Sequence, residues 1–151
     1  MGFKEGSRVE VLRKKKEGYG SWFPAKILSR VGNVYTVRYE LYLTRKGEPV
    51  VEKVQKEDVR PCPVPAYEGE SWVLGDITEA FDLRSWRVGK VAKALQNNYF
   101  VVRLFGSSQL KKFHVSNLRV RQAWHTNTWI MLGKVDTKSY DISSFLFLCS
   151  M

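Results

Sequence analysis

GSWFPAKI (20–27) and SWRVGKV (85–91) are two versions of one short stretch of sequence. In each, a Trp is followed three positions later by a small residue, Ala25 or Gly89, and then by a Lys and a β-branched residue. We interpret each stretch as the start of a half-buried strand, in which the Trp spans the boundary between core and surface. The small residue then allows another strand to pass close by.

The flanking sequences repeat as well, which indicates an internal duplication. RVEVL (8–12) and GDITEAF (75–81) precede the two Trp stretches, and VYTVRYE (34–40) and YFVVRLF (99–105) follow them. A repeat of roughly 60 residues is near the lower limit for an independent core, so we expect the two copies to pack on each other. The predicted domains are 1–65 and 66–131, followed by a tail over 132–151.

Alternation of apolar and polar residues predicts short strands throughout, with little helical periodicity. The fold class is therefore all-β, with two small, strongly bent barrels in tandem. A longer loop is expected over 41–49, and a closing strand or cap over 121–130. In the first copy the predicted strands are 8–12, after a turn at 6–7, then 22–30, 34–40 and 50–54, and a short turn over 56–60 leads to a fifth small strand. In the second copy they are 77–81, 86–95, 99–105, 110–114 and 118–120.

The chain of 151 residues carries a formal net charge of +10, which is compatible with an anionic partner or with a solvated basic surface. Cys62 and Cys149 form neither a zinc pattern nor a disulfide framework, so a reducing compartment is expected. No apolar run approaches ~18 residues, and we expect no membrane association.

Sequence motifs of catalysis are not found. There is no Gly-rich phosphate loop, no metal-ligand spacing and no nucleophile signature, and His114 and His125 are isolated. We therefore predict a protein that is not an enzyme and that needs no metal or cofactor.

The ordered motifs resemble a known family. FKEGSRVEV, EGYGSWFPAKIL, YTVRYE and VRPCPVP resemble the first half of a plant tandem Agenet module, and GDITEAF, SWRVGKV, YFVVRLF and LRVRQAW resemble its second half. The resemblance extends over about 3–129 and implies Tudor-like barrels. It also implies a nuclear chromatin protein that binds the histone H3 tail, including methylated lysine.

A methylammonium group is bound by the faces of aromatic rings with help from a carboxylate. Tyr35 alternates with Val37 and is expected in the core, whereas Trp22 fits the core or the rim equally well. The first-repeat candidates are Tyr19, Trp22, Phe23, Tyr39 and Tyr42, with Glu17 and Glu40 as carboxylates.

The second repeat departs from this pattern, because Arg87 follows its Trp and Leu104 stands near the end of its third strand. We expect it to supply packing and a groove wall instead of a second cage. The candidates for this groove are Asp76, Glu79, Phe81, Asp82 and Trp86.

A nucleic-acid-binding module is the alternative function, since basic barrels bind DNA or RNA by neutralising phosphates. Histone and DNA binding can coexist on one nucleosome, while short basic runs are also typical of solvated loops. The candidates are Arg13, Lys14, Lys15, Lys16, Arg45, Lys46, Arg84, Arg87, Lys90, Lys111, Lys112, Arg119 and Arg121.

Overall fold

The structure is a computed structural model that describes residues 2–14, 20–63 and 72–132. Strands dominate it, and the described residues include no helix that is both long and apolar enough to cross a membrane. The strands are β1 Arg8–Arg13, β2 Ser21–Val31, β3 Val34–Leu43, β4 Pro49–Gln55, β5 Val59–Pro61, β6 Ile77–Asp82, β7 Ser85–Ala94, β8 Tyr99–Leu104, β9 Leu110–His114, β10 Leu118–Val120, β11 Gln122–His125 and β12 Thr128–Met131.

Both repeats have the same strand order, which agrees with the predicted duplication. In the first repeat the order is β4-β3-β2-β1-β5, and in the second it is β9-β8-β7-β6-β10. A short 3₁₀ turn precedes the last strand of each, at Lys56–Asp58 and Val115–Asn117. The all-β prediction is therefore confirmed.

The strand registers also correspond residue by residue. Ala25 pairs with Tyr39 in the first repeat, and Gly89 pairs with Leu104 in the second. A Cβ atom on Gly89 would lie 2.6 Å from a Val102 methyl and 2.8 Å from the carbonyl oxygen of Arg103. The close approach expected at the small residue is thus present, and these pairings define which positions of the two repeats are equivalent.

Each repeat has its own apolar core. The first core surrounds the fully buried Tyr35, whose hydroxyl oxygen accepts a hydrogen bond from the Phe3 N–H at 2.9 Å, so its predicted place in the core is confirmed. The first core consists of Val9, Val11, Ala25, Ile27, Tyr35, Val37, Tyr39 and Val59. The second consists of Trp72, Ala80, Val91, Val102, Leu104, Phe113, Leu118 and Val120.

A buried ion pair joins the first and last strands of each repeat. Glu10 pairs with Arg60 across β1 and β5, with an Nη2–Oε1 distance of 2.9 Å. At the equivalent position of β6 and β10, Glu79 pairs with Arg119, with an Nε–Oε1 distance of 2.8 Å. The duplication therefore preserved an interior charge pair as well as the apolar pattern.

The first strand begins where the sequence indicates it, whereas two other predictions of local structure were wrong. This strand starts at Arg8, after a turn at residues 5–6. The predicted loop 41–49 is shorter, since β3 continues to Leu43 and the Thr44 N–H donates to the Glu48 carbonyl at 2.7 Å across a tight turn. The predicted closing strand or cap is instead a hairpin, β11–β12, in which the rings of Trp124 and Trp129 lie 5.1 Å apart.

The described residues divide into two compact units. The first contains 2–14, 20–62 and 82–86, and the second contains 63, 72–81 and 87–132. The turn between β6 and β7 thus belongs with the first unit, although it follows the predicted domain boundary at 65. The predicted tail lies outside the described residues, apart from its first residue.

Candidate functional site

Three aromatic rings meet in the first unit and form what we call the aromatic cluster: Phe23 of β2, and Tyr39 and Tyr42 of β3. Their ring centroids lie 6.0 Å (Phe23–Tyr39), 5.8 Å (Phe23–Tyr42) and 5.6 Å (Tyr39–Tyr42) apart. The planes of Tyr39 and Tyr42 are perpendicular, at 90°. Rings that meet at such angles pack the positive edge of one against the negative face of another, and faces left uncovered can contact a cation.

An irregularity in β3 brings the two tyrosines together. Tyr39 and Tyr42 are three residues apart, and in a regular strand they would point to opposite faces. The register between β3 and β4 shifts between Arg38 and Leu43. Such bulges turn side chains away from strict alternation, so Tyr42 joins Tyr39 on one side of the strand.

Glu52 of β4 supplies the carboxylate of this site. Its Oε2 atom accepts a hydrogen bond from the Tyr39 hydroxyl at 2.7 Å and another from Nη1 of Arg13 at 2.6 Å. Burial, together with the hydrogen bond to Glu52, raises the pKa of Tyr39 above its usual value. Tyr39 therefore stays protonated and remains a hydrogen-bond donor at physiological pH.

The aromatic cluster already holds a cation, which is the guanidinium of Arg13. Its Cζ atom lies 4.7 Å from the Tyr42 centroid, 5.5 Å from that of Tyr39 and 5.9 Å from that of Phe23. Burial acts to lower the pKa of Arg13, but the Tyr39 hydroxyl and the Glu52 charge outweigh it and raise this pKa overall. The side chains of Arg13 and Glu52 are 35% and 40% exposed, so this ion pair is accessible to solvent, whereas Tyr39 is buried.

Of the other first-repeat candidates, the described ones have different partners. Trp22 is half-buried, and the Arg60 guanidinium covers its ring at 3.9 Å from the centroid. Glu40 forms a two-point ion pair with Arg8, at 2.7 and 2.9 Å. Tyr19 and Glu17 lie outside the described residues. The cluster is therefore built from Phe23, Tyr39 and Tyr42, without Trp22 or Glu40.

Two of the acids predicted for the second-repeat groove are buried inside the fold. Asp76 is fully buried and accepts a hydrogen bond from the Val73 N–H at 2.9 Å, and Glu79 is in the ion pair with Arg119. Neither carboxylate can form an acidic rim. Phe81, Asp82 and Trp86 are half-buried near the β6–β7 turn.

The predicted basic residues are spread over separate elements of the chain. Arg13 belongs to the aromatic cluster, and Arg87 and Lys111 are half-buried on β7 and β9. Exposed positions are held by Lys14, Arg45, Lys46, Arg84 and Lys112, and Lys15 and Lys16 lie outside the described residues. These predicted residues therefore come from strands and turns of both units.

Sequence reasoning missed Glu52, although the sequence contains a signal for it. On β4 the half-buried positions are Val50, Glu52 and Val54, alternating with exposed residues. A carboxylate in the inward-facing row of a strand needs a polar or cationic partner. The partner is Arg13, which the sequence presents as the first residue of a basic run, so it stands among the nucleic-acid candidates.

The described residues contain no group of three or more His, Cys, Asp or Glu side chains placed to bind a metal ion. They form two five-stranded antiparallel repeats, and each repeat surrounds its own core. The first repeat also contains the aromatic cluster, in which three rings contact the Arg13 cation. This architecture defines a tandem module of Tudor-like β-barrels.

Comparison with known proteins identifies the family. Residues 6–64 match the Agenet domain. The chain carries an Agenet domain, and its two repeats together have the fold of a tandem Agenet module. The resemblance seen in the sequence motifs is thereby confirmed.

Relatives and solved structures agree on this assignment. The chain is 30% identical over 130 residues to the Arabidopsis thaliana protein AGENET DOMAIN (AGD)-CONTAINING P1, which aligns with 85% of this chain but over only 25% of its own length. It is 27% identical over 129 residues to DUF724 domain-containing protein 3 of Arabidopsis thaliana, covering 81% of this chain and 19% of that protein. The chain thus spans a quarter or less of the curated relatives it matches.

Two solved structures superpose over most of the chain. Domains AGD34 of Arabidopsis thaliana AGDP1 give a TM-score of 0.80 at 28% identity, covering 85% of this chain and 89% of that one. Tandem Agenet domain 3-4 of ADCP1 gives a TM-score of 0.76 at 28% identity, with coverages of 85% and 87%. Both neighbours are paired domains, which agrees with the two repeats of this chain.

Proposed function

We propose that this protein is a non-catalytic chromatin reader in the nucleus, which binds the histone H3 tail and holds a methylated lysine in the aromatic cluster of its first repeat. The observation that carries the proposal is that Phe23, Tyr39 and Tyr42 surround a cation beside the carboxylate of Glu52. The kinship with Agenet proteins supports the same assignment.

The chemistry of the cluster suits a methylammonium group. Methylation removes N–H donors but leaves the charge, so the group gains from ring faces and a carboxylate more than from neutral hydrogen-bond acceptors. Three rings within about 6 Å of the Arg13 guanidinium carbon provide those faces. Glu52 supplies the opposing charge, and Tyr39 fixes its orientation.

In the free protein Arg13 occupies the place that the ligand takes, so binding is an exchange of one cation for another. The exchange is feasible because Arg13 ends β1 and its side chain is about a third exposed, at 35%. A fully exposed ion pair contributes only ~0–1 kcal/mol, and this partly exposed one adds three ring contacts that a ligand must replace. A methyllysine that adds contacts from the flanking peptide can therefore displace Arg13 from the rings.

The test is a titration of the protein with H3 tail peptides that are unmodified or carry one, two or three methyl groups at each lysine. We expect at least one methylated peptide to bind and its unmodified counterpart to bind more weakly. Tyr42→Ala removes one ring and should weaken the methylated complex about tenfold, in line with a cation–π contact of ~1–2 kcal/mol.

Tyr42→Phe is the matched control, since it keeps the ring that faces Arg13 and removes only the hydroxyl. It should bind as the parent does. Equal affinity of Tyr42→Ala and the parent, with both folded by circular dichroism, would show that the cluster is not the binding site. Failure of every methylated peptide to bind would refute the reader function itself.

A further inference from the structure

The second unit has a basic surface on the face of its three-stranded sheet β7–β8–β9. Lys90 and Lys93 of β7, Arg103 of β8 and Lys112 of β9 are exposed there. Lys90 pairs in register with Arg103, and Val101 lies between Lys93 and Lys112 on the neighbouring strands. We call these four residues the basic face. With neighbouring strands ~4.8 Å apart, they occupy a patch roughly 10 Å wide.

The four residues of the basic face have no carboxylate partner among the described residues. The sequence from 87 to 132 contains no Asp or Glu at all. Such a one-signed surface attracts a polyanion.

The aromatic residue on this face indicates which polyanion fits. Tyr99 is half-buried, with Lys112 Nζ 4.5 Å above its ring and His114 packed against it at 5.1 Å between centroids. Lys112 thus lies over one face of this ring and His114 meets it at a steep angle, so Tyr99 is not presented as a bare platform for base stacking. Single-stranded nucleic acids depend on such stacking platforms, whereas a duplex presents phosphates outward and keeps its bases stacked inside.

We propose that the basic face binds the phosphate backbone of duplex DNA, without reading its sequence. DNA carries one charge per ~1.7 Å of helix axis, so a patch of this width meets several phosphates. The proposal does not depend on the aromatic cluster, which is in the first unit. A protein with both sites engages DNA through one repeat and a cationic peptide through the other.

The test compares two triple variants with the same loss of charge. Lys90→Gln, Arg103→Gln and Lys112→Gln neutralise the basic face. Lys26→Gln, Arg38→Gln and Lys53→Gln occupy the equivalent register positions of the first repeat and serve as the matched control. Binding to a short fluorescent DNA duplex is measured by anisotropy between about 50 and 200 mM salt.

We expect the basic-face variant to bind DNA at least tenfold more weakly at low salt, and its salt slope to fall by roughly three, one unit per lost phosphate contact. The control should change affinity and slope much less. Equal losses in both variants would show diffuse attraction to a +10 chain and overturn the proposal. So would unchanged binding in the basic-face variant.

Two further measurements separate loss of binding from loss of folding, and distinguish duplex DNA from other nucleic acids. Arg103→Glu alone, an exposed substitution, should weaken DNA binding several-fold without altering the melting temperature. A single strand and an RNA duplex of the same sequence are titrated beside the DNA duplex. Tighter binding of either competitor would contradict the assignment to duplex DNA.

Discussion

The two repeats share strand order, register and a buried ion pair, yet they differ at every position of the cation site. By register, Phe23 corresponds to Arg87, Tyr39 to Leu104 and Glu52 to Lys111. Arg13, which fills the site in the first repeat, corresponds to Asp82. At the first three of these positions the first repeat has two aromatic residues and a carboxylate. The second repeat has Arg87, Leu104 and Lys111 instead, which are two cations and one aliphatic residue.

This difference shows that the scaffold and the site are separable. The positions that keep each barrel folded are duplicated faithfully, because both cores and both ion pairs occupy the same register. The positions at the site have changed even where they belong to the core, since the buried Tyr39 of the first repeat corresponds to the buried Leu104 of the second. A cation site in the second repeat would need Arg87 and Lys111 to be replaced first.

The largest predicted effect concerns the feature that the repeats share, the buried ion pair. Glu10→Gln should lower the free energy of unfolding by about 3–5 kcal/mol, because it leaves the Arg60 charge buried without its carboxylate. Both side chains are only 3% exposed. Glu79→Gln should cost less, since the Arg119 side chain is 17% exposed and keeps some solvation.

Urea denaturation of both variants measures this difference directly. Arg38→Gln, an exposed substitution outside both cores, is the control and should leave stability within about 0.5 kcal/mol. If Glu79→Gln is as destabilising as Glu10→Gln, solvent access to Arg119 does not matter, and the two pairs are energetically equal.

A smaller effect is expected where the repeats differ in one methyl group. Gly89→Ala should destabilise the protein by about 1–3 kcal/mol, because the new Cβ would lie 2.8 Å from a backbone carbonyl oxygen that cannot move aside easily. The reverse change at the equivalent position, Ala25→Gly, should cost about 1 kcal/mol through lost burial and added backbone freedom.

Thermal unfolding of the two variants checks this prediction. If Gly89→Ala has the stability of the parent, the second repeat tolerates the same strand separation as the first, and its glycine is not required by packing.

Much of the fold could be predicted from the sequence, since strand alternation and the repeated Trp stretch are local signals. The strands around Val37 and Val102 follow directly from apolar residues at every second position. The extension of β3 to Leu43 was missed because Leu41, Tyr42 and Leu43 do not alternate in polarity, and the register shift that accommodates them depends on β4.

The site was only partly predictable, for a similar reason. The sequence predicts Phe23, Tyr39 and Tyr42 as candidates because their residue types alone show that they carry aromatic rings. Trp22 and Glu40 stood beside them because a sequence does not show that Arg60 covers the one and Arg8 binds the other. The contact between Arg13 and Glu52 joins residues 39 positions apart, and only the folded register reveals it.

The smallest predicted effect concerns the occupant of the cluster, and it follows from the proposed reader function. Arg13→Gln removes the internal cation from the rings and frees Glu52, so a larger fraction of molecules is ready to bind. Apparent affinity rises as that fraction rises. We expect methylated peptides to bind about five- to tenfold more tightly, which corresponds to ~1 kcal/mol or slightly more.

Arg38→Gln removes the same charge from the same unit without touching the cluster, and it isolates the general effect of reduced repulsion on a basic peptide. A readout that needs no histone is titration with tetramethylammonium chloride, followed by NMR signals of the cluster rings. If Arg13→Gln binds tetramethylammonium more tightly than both the parent and Arg38→Gln, Arg13 competes for the site, whatever the peptides do. If the three proteins bind tetramethylammonium equally, the contact of Arg13 with the rings does not limit cation binding. The functional difference between the repeats would then lie in the rings of the aromatic cluster and not in Arg13.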